Sequence, residues 1–137
     1  MRLRASLASV GVAAIVLVAC STEPQPSFDL VAVPTQSPGS LFEAFGPAGC
    51  PAALLEGTIV RHEEAGLAVD NDPNFPPAVV AWPHGWVARD LDGVRELLDG
   101  SGNVVAREGD HVSAGGGFYP PNDRFHPCGE ITFIAAP

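Results

Sequence analysis

The residues best able to do chemistry in this chain were tested first for spacing. The segment Asp70-Asn71-Asp72-Pro73-Asn74-Phe75 sets Asp70, Asp72 and Asn74 at alternating positions, as a calcium loop begins. An EF-hand loop then needs Gly at its sixth position and Glu at its twelfth. This chain has Phe75 and Ala81 there, so the stretch reads as a polar loop running into Pro76-Pro77. The four histidines, His62, His84, His111 and His126, form no H-x-x-x-H or H-E-x-x-H, and no C-x-x-C is present. His62 and His126 each have a glutamate nearby in sequence, yet a metal site would have to be gathered from distant loops. Neither Ser101 nor Ser113 lies in G-x-S-x-G. The acids Glu63-Glu64 and Asp90/Asp92 read as solvated turn and edge charges. The expectation is a non-catalytic protein with no cofactor and no bound metal. The alternative is a small hydrolase or metal-capture protein using loop His and Asp residues.

Aromatic residues offer a different chemistry, that of recognition. Gly115-Gly116-Gly117 precedes Phe118-Tyr119-Pro120-Pro121, with Phe125 shortly after. Three glycines in a row cost conformational entropy, so they imply either a mobile loop or a close approach of backbones. A phosphate loop is excluded, because no lysine and no strand–glycine–helix order accompany them. The rings either form an exposed patch or plug one end of a core; burial of at least one of Phe118 and Tyr119 is expected. A second aromatic group sits at Trp82-Pro83-His84-Gly85-Trp86. The candidate ligand contacts are therefore Trp82, His84, Trp86, Phe118 and Tyr119, facing a small ligand or an envelope protein.

These residues need an address and a frame. Arg2 and Arg4 precede an uncharged run from Ala5 to Ala19, whose apolar part begins at Val10. That run is about as long as a secretory h-region and shorter than the ~20 residues of a membrane-spanning helix. It ends Leu17-Val18-Ala19-Cys20, which resembles the bacterial lipobox, and turns at once to Ser, Thr, Glu, Pro and Gln. The expected organisation is a lipoprotein signal peptide over residues 1–19, a lipidated Cys20, a Pro-rich tether over 20–40 and one small domain over 41–137. The expected location is the extracytoplasmic side of a cell membrane, with membrane lipid reached through acylated Cys20. Within the tether, Phe28 to Val33 has the composition of a short strand.

Charge excludes one class of partner. The chain carries −9 overall and contains no lysine. Removal of residues 1–19 takes Arg2 and Arg4 with it, leaving five arginines against sixteen acids, a side-chain charge of −11. Nucleic acid needs clustered Lys and Arg, so it is not expected as a partner. Adhesion to anionic lipid through charge is disfavoured for the same reason. Once Cys20 is assigned to lipid, Cys50 and Cys128 remain, and an even pair in an oxidising compartment is expected to form a disulfide.

Glycine and proline interrupt every run long enough for a helix, and short β-branched segments lie between them. Strands are expected around Thr58 to Arg61, Gly66 to Asp70, Ala78 to Pro83, Gly85 to Leu91, Asn103 to Glu108, Asp110 to Gly115 and Glu130 to Ala136. Asp99-Gly100-Ser101-Gly102 is a hairpin signal. Val94, Leu97 and Leu98 fall at helical spacing, so Gly93 to Asp99 reads equally as strand or as a two-turn helix. Many short strands with regular turns indicate a mainly β fold, and closure into a small barrel would remove exposed edges.

The stretch from Gly57 to Gly129 resembles a group of small bacterial lipoproteins and exported domains of uncharacterised function. The resemblance is carried by the Trp82-Pro83-His84-Gly85 turn, by Val104-Val105-Ala106-Arg107-Glu108-Gly109-Asp110-His111-Val112 running into Gly115-Gly116-Gly117, and by Cys128-Gly129. It implies an OB-like β-barrel and brings no activity or catalytic residue. Those proteins are expected to carry a cysteine on the second strand where this chain has Leu67; Cys50 takes over that role here.

Overall fold

The computed structural model describes residues 28–39, 41, 45–119 and 123–137. The expected signal peptide, Cys20 and the first part of the tether lie outside them. Eight strands form two antiparallel four-stranded sheets. The first sheet runs β1 (Asp29–Val31), β4 (Val87–Leu91), β5 (Val94–Leu98), β6 (Val104–Arg107) in spatial order. The second runs β3 (Gly66–Asp70), β2 (Ala53–His62), β7 (His111–Tyr119), β8 (Arg124–Ile134).

Two turns set the register of the first sheet. Asp92 and Gly93 both have positive φ, 52° and 81°, and join Leu91 to its partner Val94. Two residues of this kind make the tight hairpin whose twist matches paired strands. That turn decides the ambiguity at 93–99 in favour of a strand, because each residue of β5 then has a partner on β4. At the other end of β5, the Asp99 carboxylate accepts the backbone N–H groups of Ser101 and Asn103, each at 2.9 Å. Those backbone bonds, that of Asn103 foremost, hold the Asp99 carboxyl below the usual aspartate value.

Charge pairs follow the same register. Glu96 lies opposite Arg89 on β4 and Arg107 on β6. It accepts hydrogen bonds from both, at 2.7 Å and 2.9 Å. On the other face Asp90 takes Arg95 at 2.7 Å and Arg61 at 3.4 Å, and Glu108 takes Arg61 at 3.1 Å. Arg61, Arg89, Arg95 and Arg107 are thus all held in ion pairs.

The two sheets are not closed into a barrel, whereas a closed or half-closed barrel is the expectation from sequence. The segment Ala78–Trp82, expected as a strand, makes only single bridges: Ala78 to Val69, Val80 to Phe125 and Trp82 to Thr35. Pro76, Pro77 and Pro83 flank the segment and lack the N–H a longer ladder requires. The segment nevertheless bridges the two edge strands of the second sheet, β3 and β8, and through Trp82 meets Thr35 beyond β1.

The core is one cluster that includes Leu55, Ile59, Leu67, Val69, Val80, Trp82, Leu97, Val112 and Phe125. Leu67, Ala68 and Val69 are all buried, so β3 is covered on both faces. The N-terminal strand contributes to that cover, since Gly66 packs against Ala32 and the side chains of Val31 and Val33. The short strand expected at Phe28 to Val33 within the tether is thus present as β1, and the residues that follow it to Gln36 pack onto the same fold. Gln36 fastens them: its backbone N–H donates to the Trp82 carbonyl at 2.7 Å, and its buried Nε2 donates to the carbonyls of Ala81 and Pro127.

The glycine run is not a loop. Gly115, Gly116 and Gly117 lie within β7, with a register shift between Ala114 and Gly116. A Cβ on Gly116 would strike the His126 carbonyl, and one on Gly117 would meet the Pro51 ring. Close approach of a backbone carbonyl at Gly116 and of the Pro51 ring at Gly117 is the reason for glycine at these two positions. Nearby, Cys50 and Cys128 form a disulfide with Cα atoms 5.9 Å apart, joining positions separated by 78 residues.

Candidate functional site: a cleft between two phenylalanines

The loop after β3 is shaped by its own polar residues. The Asp72 carboxylate accepts the backbone N–H and the side-chain amide of Asn74, both at 2.9 Å. The Phe75 N–H donates to the Asp72 carbonyl at 3.1 Å. Asp72 thus organises a turn rather than a calcium site. Pro76-Pro77 fixes the backbone that follows. The result is a Phe75 side chain 69% exposed.

The facing wall comes from the hairpin of β7 and β8. Phe118, 52% exposed, stands edge-on to the wholly buried Phe125 at 5.3 Å between ring centroids. Phe125 is in turn held by backbone bonds on both sides, its N–H to Val79 and its carbonyl from Ala81, each 2.9 Å. Between Phe75 and Phe118 lies an open cleft of about 600 Å³, floored by Pro76, Pro77 and Val79 and edged by Asp72 and Asp123. Asp123, at φ 48°, sits in the turn just before β8. Among the described residues neither carboxylate is in an ion pair. Among the described residues no arginine or histidine lines the cleft. Arg124, next in the chain to Asp123, borders an adjoining polar pocket of about 250 Å³ with His62 and Glu64, and the two pockets share Val79.

The residues singled out by sequence are dispersed. Trp82 is 0% exposed and has no surface to offer a ligand, which removes it from the contact set. It stacks on the half-buried Trp86 at 6.2 Å, with planes 8° apart, and Phe133 packs against both. This trio is the reason for two tryptophans at that turn. His84 is exposed at its tip. Tyr119 is half-buried, edge-on to His126 at 5.7 Å and to Phe45 at 6.3 Å. Of the five candidates only Phe118 lines the cleft. Phe75 was missed because the stretch containing it was tested only for calcium. The available signal was an aromatic residue set before two prolines in an otherwise polar loop.

The histidines do not converge. His62 accepts the Ala65 N–H on its Nδ1 at 3.0 Å and so caps the turn between β2 and β3. His126 has a buried Nδ1 without a partner among the described residues. Burial first, and Arg124 second, push its pKa below the ordinary histidine value. Among the described residues no three His, Cys, Asp or Glu side chains gather as a metal-binding group. Ser113 donates to Glu56 at 3.2 Å, and Ser101 is exposed in its turn. No helix among the described residues is long and apolar enough to cross a membrane. Comparison of the chain with family models, with curated proteins and with solved structures gives no match.

Proposed function

We propose that this protein is a non-catalytic binding module, held at the extracytoplasmic face of a bacterial membrane by lipid on Cys20. Its ligand site is the cleft between Phe75 and Phe118. One observation carries the reading: two large apolar side chains, far apart in sequence, stay exposed and face a single cleft. Burying a phenylalanine contributes about 1.5–3 kcal/mol, so leaving two uncovered on a small domain forgoes a sizeable gain unless a ligand covers them. A cleft of this volume falls in the small-molecule range of roughly 300–1,000 Å³. We read the frame as an opened OB-like arrangement, supported by the bridges through which Ala78–Trp82 touches both β3 and β8.

Two measurements test the two halves of the proposal. Cys20→Ser should abolish acyl labelling and release the protein from membranes; a retained label would sink the anchor. A screen of small aromatic fragments by NMR should give its largest shifts at Phe75, Val79 and Phe118. Shifts centred elsewhere would move the site.

A further inference from the structure

Resting on that cleft reading, the geometry points to the class of ligand: a small organic cation with an apolar body, such as a primary or quaternary amine. The walls are the faces and edges of two exposed phenylalanines, and the rim carries Asp72 and Asp123. An aromatic face attracts a cation through its quadrupole, and carboxylates on the same lining add to the same field. Among the described residues no arginine belongs to this lining. Arg61, Arg89, Arg95 and Arg107 are engaged with Asp90, Glu96 and Glu108, and Arg124 lines another pocket. On the cleft's own lining Asp72 and Asp123 are the charged side chains.

The competing ligand classes fit less well. An anion would meet two carboxylates and no cationic side chain of the lining. A calcium ion takes six to eight oxygen ligands, while this lining is mostly hydrocarbon, with Asp72 already committed through one oxygen to Asn74. A neutral apolar ligand would use the rings and leave the rim carboxylates without a role.

The test uses the whole chain at pH 7 and two probes of equal size, benzylamine and benzyl alcohol, followed by aromatic NMR shifts at Phe75 and Phe118. Benzylamine should bind roughly tenfold more tightly than the alcohol, and the preference should shrink as salt is raised. Asp72→Asn combined with Asp123→Asn should abolish the preference. Both changes are safe for folding, because asparagine can accept the same turn hydrogen bonds and tolerates positive φ. Equal affinity for amine and alcohol overturns the cation inference and leaves the cleft reading intact. Absence of shifts at both phenylalanines with either probe overturns the two together. A pentapeptide bearing one arginine and one phenylalanine that binds roughly tenfold better than benzylamine would assign the cleft to a protein partner instead, again against the small-cation inference.

Discussion

Phe118 and Phe125 are register partners on β7 and β8 whose rings meet edge to face at 5.3 Å, yet one is 52% exposed and the other fully buried. The pair links core to cleft: the buried ring anchors the exposed one. Phe125→Ala should cost about 3–5 kcal/mol through the cavity it leaves. Phe118→Ala should cost about 1 kcal/mol, the share of an aromatic pair. Urea melts of the two variants give the comparison, and equal losses would mean that Phe118 is a core residue.

A matched pair of substitutions tests the glycine run. Gly116→Ala should lower stability by about 1–3 kcal/mol, because the new Cβ meets the His126 carbonyl. Gly115→Ala meets nothing within 4 Å and should be neutral or stabilising by roughly 0.4–1 kcal/mol. Thermal unfolding of both, read against the parent, separates close approach from generic glycine flexibility.

Loss of the Cys50–Cys128 bridge should be costly, since it spans 78 residues. Chain-entropy reasoning gives roughly 4 kcal/mol for a loop of that size. The double variant Cys50→Ser, Cys128→Ser should melt well below the parent, and reductant should lower the parent's midpoint and leave the variant unmoved.

Acid should weaken the fold in two steps. Burial alone would raise the Glu96 pKa, but hydrogen bonds from Arg89 and Arg107 outweigh it and hold the value below 4.5. His126 is pushed below 6.5 by burial and by Arg124. Each group has a folded pKa beneath its unfolded one, so the unfolded chain binds more protons between the two values. The stability tied to His126 is complete above about pH 6.5 and declines as pH falls below it. The stability tied to Glu96 is complete above about pH 4.5 and declines below that. Denaturant midpoints from pH 8 to 3 should show both declines, and Glu96→Gln should shrink the lower one, leaving the part owed to Asp90 and Asp99, whose carboxyls are also held below the usual value.

Local chemistry made much of the fold legible. The turn residues at Asp99–Asn103, the β-branched runs and the two domain cysteines are local signals, and the strands and the bridge follow them. The Asp92-Gly93 turn was equally local, but the helical spacing of Val94, Leu97 and Leu98 masked it; a two-residue turn fixes register more strongly than a short apolar pattern does. Gln36 carries no sign in sequence of the carbonyls it reaches, because Ala81 and Pro127 come to it only through the fold. The cleft was half legible for the same reason. Phe118 was singled out with its aromatic neighbours, whereas Phe75 joins it only because Phe125 pairs with the Ala78–Trp82 segment.

That segment, together with β7 and the cysteine at position 50, depends on residues 124–134. Val80 bridges to Phe125, Cys50 waits for Cys128, and β7 has its longest ladder with β8. A chain that emerges N-terminus first, from a ribosome or through a membrane channel, cannot seal its core until those residues are out. Non-local pairing of this kind is slow to form. The late position of β8 thus acts as a timer: the emerging polypeptide stays unlocked until those residues are out.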